Sequence, residues 1–209
     1  MRLKAEHIEH FYAQEHILHD INLEIESSCI TAIVGESGSG KTTLLAILSS
    51  LLRASSGSVH YDDISLEAIK NIDEFRKKNI GFVFQFHYLI DYLNIEENIT
   101  LNALDATKSS ALLKALGIEH LASRYSDEVS GGERQRAAIA RALINDPTFV
   151  FADEPTGNLD TKNAIGVFEL FKEFKKTGFV VATHDKKIID YADTIIEMED
   201  GFVKNIYTQ

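Results

Sequence analysis

Residues 35–42 have the order Gly-Glu-Ser-Gly-Ser-Gly-Lys-Thr, a spacing of glycines that suits phosphate binding. Because glycine has no Cβ atom, successive backbone N–H groups of such a loop can turn inward around a phosphate. The lysine would reach the β- and γ-phosphates of a nucleotide, and the threonine hydroxyl would ligate Mg²⁺. We therefore predict a nucleoside triphosphate site with Mg²⁺. Its residues are Gly35, Glu36, Ser37, Gly38, Ser39, Gly40, Lys41, Thr42 and Thr43.

Two elements must position this loop, and both are indicated beside it. The apolar run 29–34 is typical of a buried strand, and residues 43–48 are typical of the start of a helix. A helix that begins at the loop adds the positive end of its dipole to the phosphate site. A chance glycine turn before a helix is the alternative interpretation, and the lysine together with both flanking elements disfavours it.

A second candidate element carries acids. Residues 149–154, Phe-Val-Phe-Ala-Asp-Glu, are four apolar residues followed by two carboxylates. A buried strand with an acid at its carboxyl end would place that acid beside the phosphate loop. Asp153 could then hold the Mg²⁺ shell through water, and Glu154 could orient or deprotonate an attacking water. The alternative is a strand that ends in a solvated acid pair.

The segment Val129-Ser130-Gly131-Gly132-Glu133 predicts a second anion site, because it precedes a predicted helix over residues 134–145. Ser130 can cap this helix, while Gly131 and Gly132 leave its N–H groups bare. The first loop already surrounds the phosphates on one side of a nucleotide. The second site would therefore close on a nucleotide held by another copy of the chain, in a two-fold dimer with two nucleotides at its interface.

In this order, the phosphate loop, the Ser-Gly-Gly-Glu segment, the acidic strand and His184 resemble the nucleotide-binding subunit of an ABC transporter, over essentially the whole chain. The resemblance implies an ATPase that uses ATP and Mg²⁺, forms a homodimer on ATP binding and works with integral membrane transporter subunits. Tyr12 would then stack on adenine. Gln85 would contact Mg²⁺ and the attacking water, and His184 would touch the γ-phosphate. Asp160, in the segment Asn158-Leu159-Asp160, would cross the dimer interface.

The resemblance assigns catalysis to Glu154, His184, Gln85 and Lys41, and metal binding to Thr42, Gln85 and Asp153. Taken singly, three residues have simpler interpretations. Tyr12 could be an ordinary hairpin aromatic, with Phe11 in its place, while Gln85 could be a strand-end amide and His184 a helix cap. The N-terminal histidines indicate surface residues rather than a metal site, because no thiol or carboxylate cluster accompanies them. These are His7, His10, His16 and His19.

Within the family, residues 81–89, 130–136 and 152–160 are most similar to the lipoprotein-releasing ATPase subunits, and less to the macrolide exporters. This implies lipoprotein release or export. A cell-division ATPase that regulates wall hydrolases through a membrane partner has the same motifs and stays an alternative. DNA-repair and translation ATPases, kinases and GTPases fit less well. The chain departs from the pattern at Val129, at Glu133, in a short segment 98–130, and at Ser28-Cys29, where a glycine is usual.

The predicted fold class is α/β, with the mainly parallel sheet and flanking helices of a P-loop NTPase core. Strands are predicted over 29–34, 80–84, 148–152, 179–182 and 194–198, and residues 2–28 predict an antiparallel pair that turns at 12–15. Residues 94–143 show only helical periodicity. We predict a single domain over 1–209, with 1–90 and 144–209 as the ATP-binding core and 91–143 as an inserted helical subdomain.

Composition limits the partners. The net charge of −11 and the absence of a basic stripe argue against nucleic-acid binding, and Arg134, Arg136 and Arg141 indicate a solvated or salt-bridged helix face. The lone Cys29 indicates a small core residue. No apolar run could cross a bilayer, which predicts no direct membrane insertion. With the resemblance, this places the chain at the cytoplasmic face of the inner membrane, bound peripherally through partner subunits.

Overall fold

The computed structural model of the protein describes residues 1–157, 159–184 and 186–209. Within these residues the strands are β1 Arg2–Tyr12, β2 Glu15–Glu26, β3 Ile30–Val34, β4 Ser56–Tyr61, β5 Ile64–Ser65, β6 Ile80–Phe84, β7 Phe149–Asp153, β8 Gly178–Thr183, β9 Thr194–Glu199 and β10 Phe202–Thr208. The α-helices are α1 Lys41–Leu48, α2 Ile72–Asn79, α3 Ile95–Thr100, α4 Ser109–Ala115, α5 Gly131–Leu143 and α6 Thr161–Glu173.

A six-stranded sheet forms the centre of the fold, in the order β10-β9-β3-β8-β7-β6. Its strands β9, β3, β8, β7 and β6 run parallel, and β10 joins the edge antiparallel to β9. This confirms the predicted α/β class. Because parallel strands end at the same edge of a sheet, the loop after β3 and the acids at the end of β7 are brought to one side, with β8 between them.

Both faces of this sheet are covered, which explains why its strands are nearly continuous apolar runs. Along β7, Phe149 and Phe151 pack into a core with α1 and the N-terminal strands. The alternate residues Val150 and Ala152 pack into a second core, which contains residues of α3, α4, α5 and α6. Side chains of successive strand residues point to opposite faces, so β7 contributes to both cores at once.

The N-terminal strands form a separate antiparallel sheet in the order β2-β1-β4-β5. The predicted pair over 2–28 and its turn are confirmed, and Ala13 in the turn has a φ of 53°. Strands β4 and β5 were not predicted. In β4, Val59 and Tyr61 are the buried residues. Ser56 and Ser58 precede them and His60 lies between them, so the strand has no continuous apolar run.

Between β6 and β7 the described residues form helices and turns and no strand, as the periodicity predicts. Helix α5 begins at Gly131, three residues before the predicted start, because Ser130 caps it there. The division of 91–143 from the core as a subdomain stays a prediction. In the described part of the chain, no helix has the length and apolar character that crossing a bilayer requires.

Two expectations about single residues were wrong. Cys29 is half-buried in a bend before β3 rather than in the core, because the preceding residue, Ser28, turns the chain with a φ of 71°. That left-handed conformation explains why a glycine is usual there. His10 is only 6% exposed and is not a surface residue.

Among the described residues, the arginines of α5 form no salt bridge, and they do not make up a solvated face. Arg134 donates to the carbonyl oxygen of Ser126 and Arg136 to that of Leu116, at 3.1 and 3.2 Å. Arg141 donates to two carbonyl oxygens of the segment after β6. The guanidinium groups therefore satisfy backbone acceptors of neighbouring loops.

Candidate nucleotide-binding site

The phosphate loop has the backbone that its glycines predict. Gly40 has a φ of 94° and precedes α1 as its N-cap, and no side chain of the described residues caps the first N–H groups of that helix. A Cβ atom on Gly35 would lie 2.3 Å from the carbonyl oxygen of Met198, so this position also requires glycine. The loop thus presents uncapped amides at a helix N-terminus, which is a favourable site for an anion.

Lys41 folds back over this loop. Its Nζ atom donates to the carbonyl oxygens of Gly35 and Glu36 at 2.9 and 2.8 Å, and the residue is only 8% exposed. The ammonium group is therefore held beside the loop amides before any ligand binds. Ser39 Oγ is buried with no hydrogen-bond partner among the described residues, so the loop also retains a polar atom that a ligand could satisfy.

Asp153 brings a carboxylate to the first turn of α1. Thr42 Oγ1 donates to Asp153 Oδ1 at 3.2 Å. Burial raises the pKa of the Asp153 carboxyl, and the hydrogen bond from Thr42 opposes this shift. A hydroxyl oxygen and a carboxylate oxygen are ligands of the kind that Mg²⁺ binds. The residues present therefore fit a magnesium ion held by Thr42 and Asp153.

The carboxylate of Glu154 is oriented by the end of β8. His184 Nδ1 lies 2.7 Å from Glu154 Oε1, and Thr183 Oγ1 donates to Oε2 at 3.3 Å. The backbone of Glu154 has a φ of 46° and donates its N–H to the carbonyl oxygen of Ala182 at 2.9 Å. A non-glycine residue in this conformation is strained, and such strain concentrates at functional positions.

These groups line one cleft of about 860 Å³. Its lining residues are Tyr12, Glu15, Ile17, Glu36, Ser37, Gly38, Gly40, Lys41, Thr42, Thr43, Gln85, Asp153, Glu154 and His184. Gly35 and Ser39 line a neighbouring cavity on the other side of the loop, which Glu36 and Ser37 also border. The structure therefore brings together the predicted loop, both acids, Gln85, His184 and Tyr12.

Tyr12, rather than Phe11, faces this cleft. The Tyr12 ring is half-exposed at the cleft rim, where a planar base could stack on it. Phe11 stacks instead on His16, with ring centroids 3.9 Å apart and nearly parallel planes. Gln85 follows β6 and lies against Gly157, where an added Cβ would come 3.0 Å from Gln85 Nε2.

The Ser130 corner, defined as Ser130, Gly131 and Gly132, does not line the cleft. Ser130 Oγ donates to Glu133 Oε2 at 2.7 Å, and Glu133 accepts the Ser130 N–H as well. Gly132 lies beside Asn163, whose N–H donates to Asp160 Oδ1 at 2.9 Å. Asp160 therefore lies near the Ser130 corner, on a surface separate from the cleft. Asn158 lies outside the described residues.

Sequence reasoning missed Thr183, Glu15 and Ile17. Thr183 ends an apolar strand beside His184, and this polar ending was an available signal. Glu15 and Ile17 reach the cleft because of the register of the β1–β2 hairpin, in which Glu15 pairs with Tyr12. That register is fixed by the turn at residues 13 and 14, and the sequence does not show which cavity the paired residues face.

Comparison with known proteins decides the family. The family model described as "ABC transporter" matches residues 18–157. The chain belongs to the ABC transporter family. The "Lipoprotein-releasing system ATP-binding protein LolD" of Cytophaga hutchinsonii is 41% identical over 214 residues, covering 96% of this chain and 98% of the relative. The LolD protein of Buchnera aphidicola is 41% identical over 201 residues, covering 90% and 88%.

Solved ABC cassettes have the same fold. A dimeric post-hydrolysis structure of the ATP-binding cassette MJ0796, bound to ADP and Pi, has a TM-score of 0.89, 32% identity and coverage of 99% and 98%. The cbiO1 protein of Clostridium perfringens has a TM-score of 0.90, 30% identity and coverage of 99% and 88%. The predicted family, fold and ABC-type ATPase activity are thereby confirmed. The roles of individual site residues stay predictions.

Proposed function

We propose that the chain binds ATP with Mg²⁺ in the cleft and that two copies close head to tail, so that each Ser130 corner meets the nucleotide of the other copy. The observation that carries this is the division of the predicted phosphate-binding groups between two surfaces of one chain. A single copy cannot bring both surfaces to one phosphate without rearrangement. Two dimeric structures of the cassette MJ0796, one of them bound to ADP and Pi, support the arrangement.

The chemistry of the cleft suits hydrolysis. Lys41 and the loop amides would bind the β- and γ-phosphates, and Thr42, Asp153 and Gln85 would hold the Mg²⁺, which neutralises phosphate charge. Glu154, oriented by His184, would orient the attacking water and accept its proton. His184 is exposed on the cleft side, so its free ring nitrogen can reach toward a bound phosphate.

A membrane partner is supported by the surface that follows Gln85. Phe86, Tyr88 and Tyr92 are 61%, 65% and 80% exposed, which is unusual for three aromatic residues so close together in sequence. Exposed apolar patches of this kind mark interaction sites. We propose that this surface contacts an integral membrane subunit, so that the chain works peripherally at the cytoplasmic face of the inner membrane.

The cargo we propose is lipoprotein. Both LolD relatives align over nearly their full length with this chain at 41% identity, and LolD is described as the ATP-binding protein of a lipoprotein-releasing system. The test is reconstitution of the chain with its copurified membrane partner in vesicles that carry a lipoprotein. ATP-dependent transfer of the lipoprotein to a soluble acceptor supports the proposal. A partner that binds a wall hydrolase and releases no lipoprotein contradicts it.

The dimer and the role of Glu154 are tested by Glu154→Gln. We expect this variant to bind ATP, to lose turnover by about 10²–10³-fold and to form a dimer in light scattering. Glu119→Gln is a matched control, because Glu119 is exposed and far from the cleft. Unchanged turnover in Glu154→Gln would remove Glu154 from its proposed role.

A further inference from the structure

The segment after β6 connects the cleft to the helices, and its backbone is held by their side chains. We call residues 85–94 the connector. It contains no helix or strand among the described residues. Asn98 accepts the N–H of Ile90 and donates to the carbonyl oxygens of Ile90 and Leu93, at 2.7, 3.1 and 2.9 Å. The connector therefore takes its shape from the helical part of the chain.

Arg141 provides the contact nearest to Gln85. Its Nη1 donates to the carbonyl oxygen of Tyr88 at 2.6 Å, and its Nη2 donates to that of His87 at 2.7 Å. Loss of hydration lowers the pKa of the guanidinium, and no described carboxylate lies within ion-pair distance of it. A half-buried charge without a counter-ion is costly, and its two short hydrogen bonds to carbonyls offset that cost.

The backbone held by Arg141 is itself strained. Tyr88 has a φ of 46°, an unfavourable conformation for a bulky residue. Such a conformation persists only where the surroundings hold it. Because Arg141 donates a hydrogen bond to the carbonyl oxygen of Tyr88, the shape of the connector depends on a side chain of α5.

Helix α5 links this grip to the Ser130 corner. Arg141 lies ten residues after Gly131, or about 15 Å along one rigid helix. Burial, and then the positive charge of Arg134, lowers the pKa of the His87 ring, so this ring lies near the first turns of α5. The connector is thus hydrogen-bonded to Arg141 near the end of α5 and has His87 close to the start of the same helix.

We propose that Arg141 is a positioning residue that couples the two nucleotide sites of the dimer through the connector. The inference rests on the proposed function, in which Gln85 acts at one nucleotide and the Ser130 corner of the same chain binds the other nucleotide. A nucleotide that moves Gln85 displaces Tyr88 and His87, and Arg141 transmits this displacement to α5 and its corner.

A purely structural role for Arg141 makes a different prediction, and Arg136 allows the two to be separated. Arg136 lies on the same helix and also donates to a carbonyl oxygen, that of Leu116, which is outside the connector. Replacing either arginine with lysine keeps the charge and the apolar stem but removes the rigid two-pronged donor. If both arginines only support the fold, Arg141→Lys and Arg136→Lys will behave alike.

The test uses the full chain in the Glu154→Gln background, with Arg141→Lys and Arg136→Lys compared with the parent. We measure the Kd of ATP for the dilute chain and, separately, the Kd of the ATP-dependent dimer by sedimentation equilibrium. We expect Arg141→Lys to leave the nucleotide Kd within about twofold and to weaken the dimer about tenfold. Arg136→Lys should change neither constant.

A parent dimer that is unaffected by Arg141→Lys overturns the inference while leaving the proposed function intact. Equal weakening by Arg136→Lys also overturns it, because the effect would then belong to α5 in general. A parallel loss of nucleotide affinity and thermal stability in Arg141→Lys assigns Arg141 to the fold and contradicts a coupling role. A parent that stays monomeric with ATP overturns the proposed function, and the inference with it.

Discussion

The chain carries two glycine-containing helix N-termini, and they are prepared for anions in opposite ways. Helix α1 begins at Lys41, after the N-cap residue Gly40, without a side-chain cap, beside the buried ammonium of Lys41 and within a cleft. Helix α5 begins at Gly131, after the N-cap residue Ser130, with a complete capping box, in which Glu133 accepts both the N–H and the hydroxyl of Ser130. At α1 no described side chain accepts the first N–H groups, whereas at α5 the Ser130 hydroxyl and the N–H groups of Ser130 and Glu133 are already bonded within the chain.

From this difference we infer that the two proposed sites would act in sequence. A phosphate can enter the cleft of a free chain directly, whereas at the Ser130 corner it must compete with the Glu133 carboxylate. Hydrogen bonds from Ser130 lower the pKa of Glu133, so that this carboxylate is charged at neutral pH. We therefore expect the corner to bind phosphate weakly alone and to become effective when a nucleotide already fixed in another cleft is brought to it.

The largest predicted effect comes from a change at the N-terminus of α1, the first of the two sites. Lys41→Ala removes the ammonium that the loop holds ready, and we expect the Kd of ATP to rise about 100-fold. Isothermal titration of the dilute chain measures this, with Lys114→Ala on α4 as the control. An unchanged Kd would contradict the assignment of the loop.

A smaller effect is expected from a change at the Ser130 corner, the second of the two sites. Ser130→Gly removes the hydroxyl, and glycine at an N-cap costs only a few tenths of a kcal/mol, so the fold is retained. We expect the Kd of ATP for the dilute chain to stay the same and the ATP-dependent dimer to weaken about tenfold. If nucleotide binding by the dilute chain falls instead, the corner belongs to the same site as the cleft.

The smallest effect concerns stability without nucleotide. The raised pKa of Asp153 means that its ionisation opposes folding above that pKa, so Asp153→Asn should raise the Tm at pH 7 by about 1–3 °C. The gain should shrink as the pH falls through the folded pKa of Asp153, and it should vanish below the unfolded pKa, where both states carry the proton. Thermal melts at pH 4 and pH 7 measure this, and a lower Tm at pH 7 would contradict it.

At the Ser130 corner, stability should depend on pH with the opposite sign. The pKa of Glu133 is lowered in the folded chain, so its ionised form contributes stability above the unfolded pKa, and this contribution is lost as the pH falls through the folded value. Glu133→Gln should therefore lower the Tm at pH 7 by about 1 °C and have less effect at low pH. A rise in Tm would show that the carboxylate does not stabilise the corner.

The sequence allowed the cleft to be predicted because its chemistry is local. The glycines of the loop, the acids that end β7 and the apolar strands each leave a continuous signature, and the parallel sheet then brings them together. Strands β4, β5 and β10 were not predicted, since short or exposed edge strands show no long apolar run. The grip of Arg141 on the connector was missed because it joins residues more than fifty positions apart.

The central claim is that one chain's cleft and another chain's Ser130 corner meet on one nucleotide. It is tested most directly by mixing two variants of the chain in the Cys29→Ser, Glu154→Gln background, one with Ser37→Cys in the loop and one with Ser130→Cys. A short bis-maleimide should link the two variants into a covalent dimer with ATP and not with ADP, and neither variant alone should give a covalent dimer. If the mixture gives no ATP-dependent link, or if either variant links to itself, the head-to-tail arrangement is contradicted.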